Sequence, residues 1–223
     1  MPPSIQLPLF PLPNVVHFPR TELRLHVFEP RYRDLIRDLS DLDAERRLIG
    51  VVLLHESAED GQTAVYAAGT AGRLVEIDYL PDGRSNIVLH GDFRFEVEKE
   101  VPGKAYRQGM VHRLEEPQID ERSSEIGGLL KQLMSTAIDV AREVGERFPI
   151  SRELLSTLRE ESFECVVNSF AAELDVPVLR KLQLLSRPLP ERAADVLSIL
   201  STRRNVLDGL RPFRQLAASP ELN

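Results

Sequence analysis

The chain reads as an α+β protein: a small barrel-like, curled antiparallel sheet with one helix, followed by an α-helical bundle. Three observations predict this. Apolar residues in the first half recur at every second position, the period of a strand with one buried face. Proline and glycine punctuate that half at short intervals, which favours many short strands over a few long elements. From about Ser123 onward the apolar spacing becomes that of amphipathic helices.

Ile5, Leu7 and Leu9 alternate, and so do Leu23, Leu25 and Val27, predicting two half-buried strands. Between strands a single helix is expected from Pro30, because proline suits the first helical turn, where its missing N–H would have had no partner. Tyr32, Leu35, Ile36 and Leu39 then form one apolar stripe that closes an open end or face of the sheet. Residues 48–54 (LIGVVLL) form a continuous apolar run suited to a strand buried on both faces. Leu74–Leu80 and Ser85–Leu89 flank Pro81-Asp82-Gly83-Arg84, a hairpin turn in which proline presets φ and glycine tolerates a positive one. In FRFEVEKEV, Phe93, Phe95, Val97 and Val101 face one way, while Arg94, Glu96, Glu98 and Glu100 form a solvated face. A last strand is expected from Tyr106 to Leu114.

In the second half a long helix runs through Leu133, Ala137, Val140 and Val144 and stops before Pro149. Ser151 caps a short helix bearing Leu154, Leu155 and Leu158. Phe163, Val166, Val167, Phe170 and Leu174 mark a third, Pro177 opens a fourth, and Pro190 opens a fifth that continues to Leu207. Short connections between them imply a compact bundle. The expected division is a β-domain at 1–117 and a helical subdomain at 118–223, with fraying from about Ala217.

The 223 residues suffice for one large domain or two small ones. The formal charge is −7, with 14 basic and 20 acidic side chains in residues 1–120, against 14 and 15 thereafter. Phosphate backbones are bound largely through Lys and Arg, and no basic run is present, so nucleic acid is disfavoured as a partner. Cys165 is the single cysteine, so an internal disulfide is excluded and a reducing, cytoplasmic setting fits. Prolines break up the leading MPPSIQLPLFPLP, which lacks the basic and apolar regions of a signal peptide. No apolar run is long enough to span a membrane.

Motifs for chemistry are missing. Neither G-x-x-x-x-G-K-[ST] nor G-x-G-x-x-G occurs, and Gly69-Thr70-Ala71-Gly72 reads as a turn or bulge within strand-forming sequence. The five histidines (17, 26, 55, 90 and 112) lack metal-ligand spacing, although His17, His26 and His90 sit in segments that can meet in space. Cys165 lies among apolar residues of a helix and reads as a packing residue. No cofactor, metal or catalytic activity is expected.

The segments LPLFPLPNVVHFP (7–19), LRLHVFEPRYRDLI (23–36), LIGVVLL (48–54) and AGTAGRLVEIDYLPDGRSNIVLHGDFRFEV (68–97), taken in that order, resemble the substrate-binding N-terminal domain of Lon proteases. Residues 166–200 resemble that family's helical part. The resemblance implies a PUA-like β-domain followed by helices, and a stand-alone, non-catalytic protein. The ATPase and Ser-Lys protease modules of full-length Lon are not in this sequence, so neither activity is carried over. Implied partners are unfolded or degradation-marked polypeptides, or a protease or regulatory complex that the chain serves as adaptor; a homodimer is also allowed. The alternative is a PUA-like RNA-binding protein, which the net negative charge disfavours.

Phe10, Phe18, His26, Phe28, Arg31 and Tyr32 are the candidate polypeptide-binding residues, with packing between sheet and helix as their structural role. Glu29 stands near a helix N-terminus, where negative charge is favoured, and Arg31 or Arg94 is placed to pair with it. Arg20-Thr21 departs from the family pattern of a glycine after the proline, so a differently shaped loop is expected there.

Overall fold

A computed structural model describes residues 4–56, 63–145 and 148–217. The elements are β1 (Ile5–Leu12), β2 (Glu22–Val27), α1 (Pro30–Ser40), β3 (Leu48–Glu56), β4 (Thr63–Tyr79), β5 (Ser85–Val101) and β6 (Gln108–Arg113). Helices α2 (Ser124–Val144), α3 (Arg152–Thr157), α4 (Phe163–Glu173), α5 (Val178–Ser186) and α6 (Leu189–Ala217) follow. Residues 218–223, where fraying is expected, lie outside the described residues.

By contact, the chain divides into one unit of Met1–Pro117 with Val176–Pro188 and another of Gln118–Asp175 with Leu189–Asn223. Helix α5 thus belongs with the sheet. The six strands run in the order β2-β5-β4-β3-β1-β6, and β6 also bonds to β5. The expectation of a purely antiparallel sheet is corrected by one pairing, since β1 and β3 are parallel. The reason is the connection: β2 and α1 intervene, and a crossover of that length returns the chain in its original direction.

Strands β4 and β5 are longer than their local patterns suggest, each 17 residues. Irregularities replace turns. The Gly69–Gly72 segment is a stretch of β4 with a register shift at Ala71/Gly72, so the expected turn or bulge is a bulge. Strand β5 exchanges partners along its length, pairing β2 through Ser85–His90 and β6 from Phe95 onward. Gly91 sits at the exchange. A Cβ there would lie 2.2 Å from the Phe18 carbonyl oxygen, so only glycine admits the 18–21 segment. The hairpin turn forms where expected, with Gly83 at φ +81° and its N–H donating to the Leu80 carbonyl.

The sheet carries two apolar clusters. Phe10, Ile49, Val51, Leu74, Ile87 and Leu89 pack against Tyr32, Leu35, Ile36 and Leu39 of α1. Leu7, Leu9, Val52, Phe93, Phe95 and Val111 form the other. Neighbours Leu9 and Phe10 fall into different clusters, as strand alternation demands. Burying Leu35 and Ile36 contributes about 1.5–3 kcal/mol each, which holds α1 in place.

In the second unit Ser123, Ser151 and Ser162 cap α2, α3 and α4 by accepting from the N–H three residues on. Leu133, Ala137, Val140, Phe163, Val166, Phe170, Val196 and Leu200 form its interior. Arg192 is fully buried there and donates to the Asn168 side chain.

Candidate functional site

Of the six candidates, Phe10 and Tyr32 are buried and stack at 4.2 Å between ring centroids, tying β1 to α1. Phe18 is wholly buried beneath the 18–21 turn. His26, Phe28 and Arg31 are exposed. The Arg31 guanidinium pairs with Glu29 at 2.7 Å and lies over the Tyr32 ring at 4.7 Å, so of the two arginines expected near that carboxylate it is Arg31 that reaches it.

Arg94 goes elsewhere, and its expected place on a solvated strand face is corrected. It is 3% exposed, pairs with Glu116 at 2.6 Å and donates to the Leu185 carbonyl at 2.8 Å. The segment after β6 and the end of α5 cover it, a tertiary event that strand alternation does not foresee.

The loop before β2 keeps the form that a glycine would give it. Thr21 N–H closes on the Phe18 carbonyl, with Pro19 second and Arg20 third in the turn, and Arg20 has φ +63°. That is the type II arrangement, which ordinarily calls for glycine at the third position. His17 is buried beside this turn and donates from Nε2 to the Thr21 carbonyl, while its Nδ1 meets no partner. Burial, against the opposing effect of that hydrogen bond and with a small push from His90, lowers its pKa from 6.5 to about 4. His17 and His90 are neighbours, whereas His26 bonds instead to Asn86 at 2.8 Å.

The outer face of β2, β5 and β4 presents Arg24 and His26, then Asn86, then Glu76 and Asp78 around a shallow groove of about 370 Å³. Phe28 lies at its end, 60% exposed, with the His26 ring stacked near it at 6.2 Å. Val75, at the irregularity between Leu74 and Glu76, and Tyr79 are also exposed. Sequence reading passed over Val75, Tyr79 and Asn86; the pairing of Asp78, Asn86 and His26 across three strands sets Asn86 in the groove, and no local pattern carries that register. On the other side of α1, Asp38 accepts from Lys104 and Tyr106, both at 2.8 Å. Those bonds hold the Asp38 carboxyl below its usual range; burial, then the Asp38 bond, push Tyr106 up. Among the described residues no group of three or more His, Cys, Asp or Glu is placed to hold a metal, and no helix is long and apolar enough to cross a membrane.

These features define a mixed α+β domain with an exposed sheet face and edge. Residues 6–202 match the family model of the ATP-dependent protease La (LON) substrate-binding domain, and the chain belongs to that family. It is 27% identical over 207 residues to the Lon protease of Flavobacterium johnsoniae, covering 92% of this chain and 25% of that one. Lon protease 2 of Myxococcus xanthus is 30% identical, covering 90% of this chain and 24% of the relative. The chain thus spans about a quarter of the length of these curated relatives. Among solved structures, the Lon N-terminal domain protein of Xanthomonas campestris aligns with TM-score 0.61 and 28% identity over 87% of this chain and 98% of that one. The N-terminal domain of Mycobacterium avium complex Lon protease shares the fold, with TM-score 0.67 at 13% identity over 88% of this chain and 98% of that one.

Proposed function

We propose that this protein is a non-catalytic holder of unfolded or degradation-marked polypeptide segments, acting in the cytoplasm by itself or as adaptor to a protease complex. The family match over residues 6–202 carries this reading. The bond of β6 to both β1 and β5 supports a closed, PUA-like barrel as the scaffold. As a working division, 1–117 forms the β-domain and 118–223 the helical subdomain, with 176–188 returning to the sheet. In this reading His26, Phe28 and Arg31 touch the client. Phe10, Phe18 and Tyr32 act from beneath by fixing the strand-to-helix corner. Exposed aromatic and arginine side chains are the usual carriers of contact energy at protein interfaces. The formal charge of −7 weighs against an RNA ligand.

The test is fluorescence anisotropy of a labelled, reduced and carboxymethylated protein titrated with the purified chain. Saturable binding is expected, weakened by Phe28→Ser roughly five- to tenfold, or about 1–1.4 kcal/mol. Absence of binding at high protein concentration would refute the proposal.

A further inference from the structure

We infer that the client is held by strand addition: an extended polypeptide segment pairs with the free edge of β2 and lays an apolar side chain against Phe28. This rests on the polypeptide-binding reading above and specifies its mode. Among the described residues β2 pairs with β5 alone and ends the strand order. The Gly91 N–H donates to the Thr21 carbonyl at 2.9 Å, so that carbonyl faces β5. Strand alternation then turns the N–H and C=O groups of Leu23, Leu25 and Val27 the same way, and those of Glu22, Arg24 and His26 to the open edge. The edge therefore offers N–H and C=O groups whose partial charges complement an extended backbone and little else.

Sheet edges are ordinarily blunted by proline, a bulge or unpaired charge. Strand β2 contains no proline, and its six pairings with β5 run without a register shift, unlike those between β3 and β4, β4 and β5, and β5 and β6. Glu22 and Arg24 neutralise each other at 3.3 Å, so the edge carries no net charge from that pair to repel an incoming chain. Phe28 follows directly, exposed and aligned with the strand's end. The occupant is thus a proline-free extended segment bearing an apolar residue at one end.

The experiment uses the full wild-type chain and a fluorescein-labelled peptide of alternating valine and threonine, about eight residues long, within the usual length of a strand. Amide exchange is followed by NMR with and without saturating peptide. The Glu22, Arg24 and His26 amides are expected to slow at least tenfold, while those of Leu23 and Leu25, already bonded to β5, change little. Arg24→Pro, which removes an edge donor without touching the β5 ladder, should weaken peptide binding at least tenfold, and Arg24→Ala less than twofold. Peptide binding with those three amides unchanged overturns strand addition and leaves the polypeptide-binding reading standing. No binding of this peptide or of the denatured protein ends both. Protection of the same amides that rises with protein concentration alone, abolished by Arg24→Pro, overturns the inference in favour of a second copy of this chain.

Discussion

Arg20 adopts φ +63°, a conformation that costs a non-glycine residue roughly 1–2 kcal/mol. Glycine there relieves the strain but adds freedom to the unfolded chain, so Arg20→Gly is expected to stabilise the fold by about 0.5–1 kcal/mol, read as a higher denaturant midpoint. His17 makes stability depend on pH. The unfolded chain takes up its proton below the ordinary value of 6.5, the folded protein only below about 4. Its contribution is therefore complete above 6.5 and lost as pH falls from 6.5 to 4, amounting to about 3 kcal/mol. Denaturant titrations at pH 7.5 and 4.5 should show this loss, and His17→Gln should reduce the difference between them. Phe10 and Tyr32 illustrate a limit of local reading. An aromatic residue beside a proline can serve as contact or as packing, packing being the commoner role, and burial placed these two in the core.

Elements are joined here by a few well-buried polar contacts as well as by apolar packing. Arg94 of β5 bridges Glu116 and the last turn of α5 from a 3% exposed position. Arg94→Ala removes one contact each from the Glu116 carboxylate and the Leu185 carbonyl, so a loss of about 1–3 kcal/mol is expected in equilibrium unfolding. Helix α4 depends on Ser162, whose hydroxyl accepts from Cys165 N–H at 3.2 Å. Its removal in Ser162→Ala is expected to cost about 1 kcal/mol with the fold retained by circular dichroism. Helix α1 was legible from sequence because its start, its stripe and its partners are all local signals; Tyr32, Leu35, Ile36 and Leu39 are the residues its packing buries.

At the scale of the whole molecule, the chain leaves the sheet at Pro117, returns for Val176–Pro188 and leaves again. Leu184 and Leu185 of that return are buried. A fragment ending at Pro117 is therefore expected to expose the surface α5 covers and to lose about 3–6 kcal/mol relative to the full chain, detectable by denaturant titration and dye binding. The helical period of α5 was visible in Leu179 and Leu182, although Leu179 is exposed, but the unit to which the helix belongs was not. Periodicity reports which face is apolar and is silent on what covers it. The same silence hid Arg94, which the alternating pattern of FRFEVEKEV assigned to solvent.

Period and turn chemistry by themselves determined the α+β class, the approximate positions of the helices, the Ser151 cap and the Pro81–Arg84 hairpin, while the motifs at 7–19, 23–36, 48–54 and 68–97 carried the family resemblance. All of these depend on neighbours in the chain. Tertiary structure alone decided the parallel pairing of β1 with β3, the division of the six candidate residues between core and surface, the left-handed Arg20 and the open edge of β2. Those depend on strands and helices brought together from distant parts of the chain, where burial, strain and unpaired backbone groups are set by contacts that no local spacing encodes.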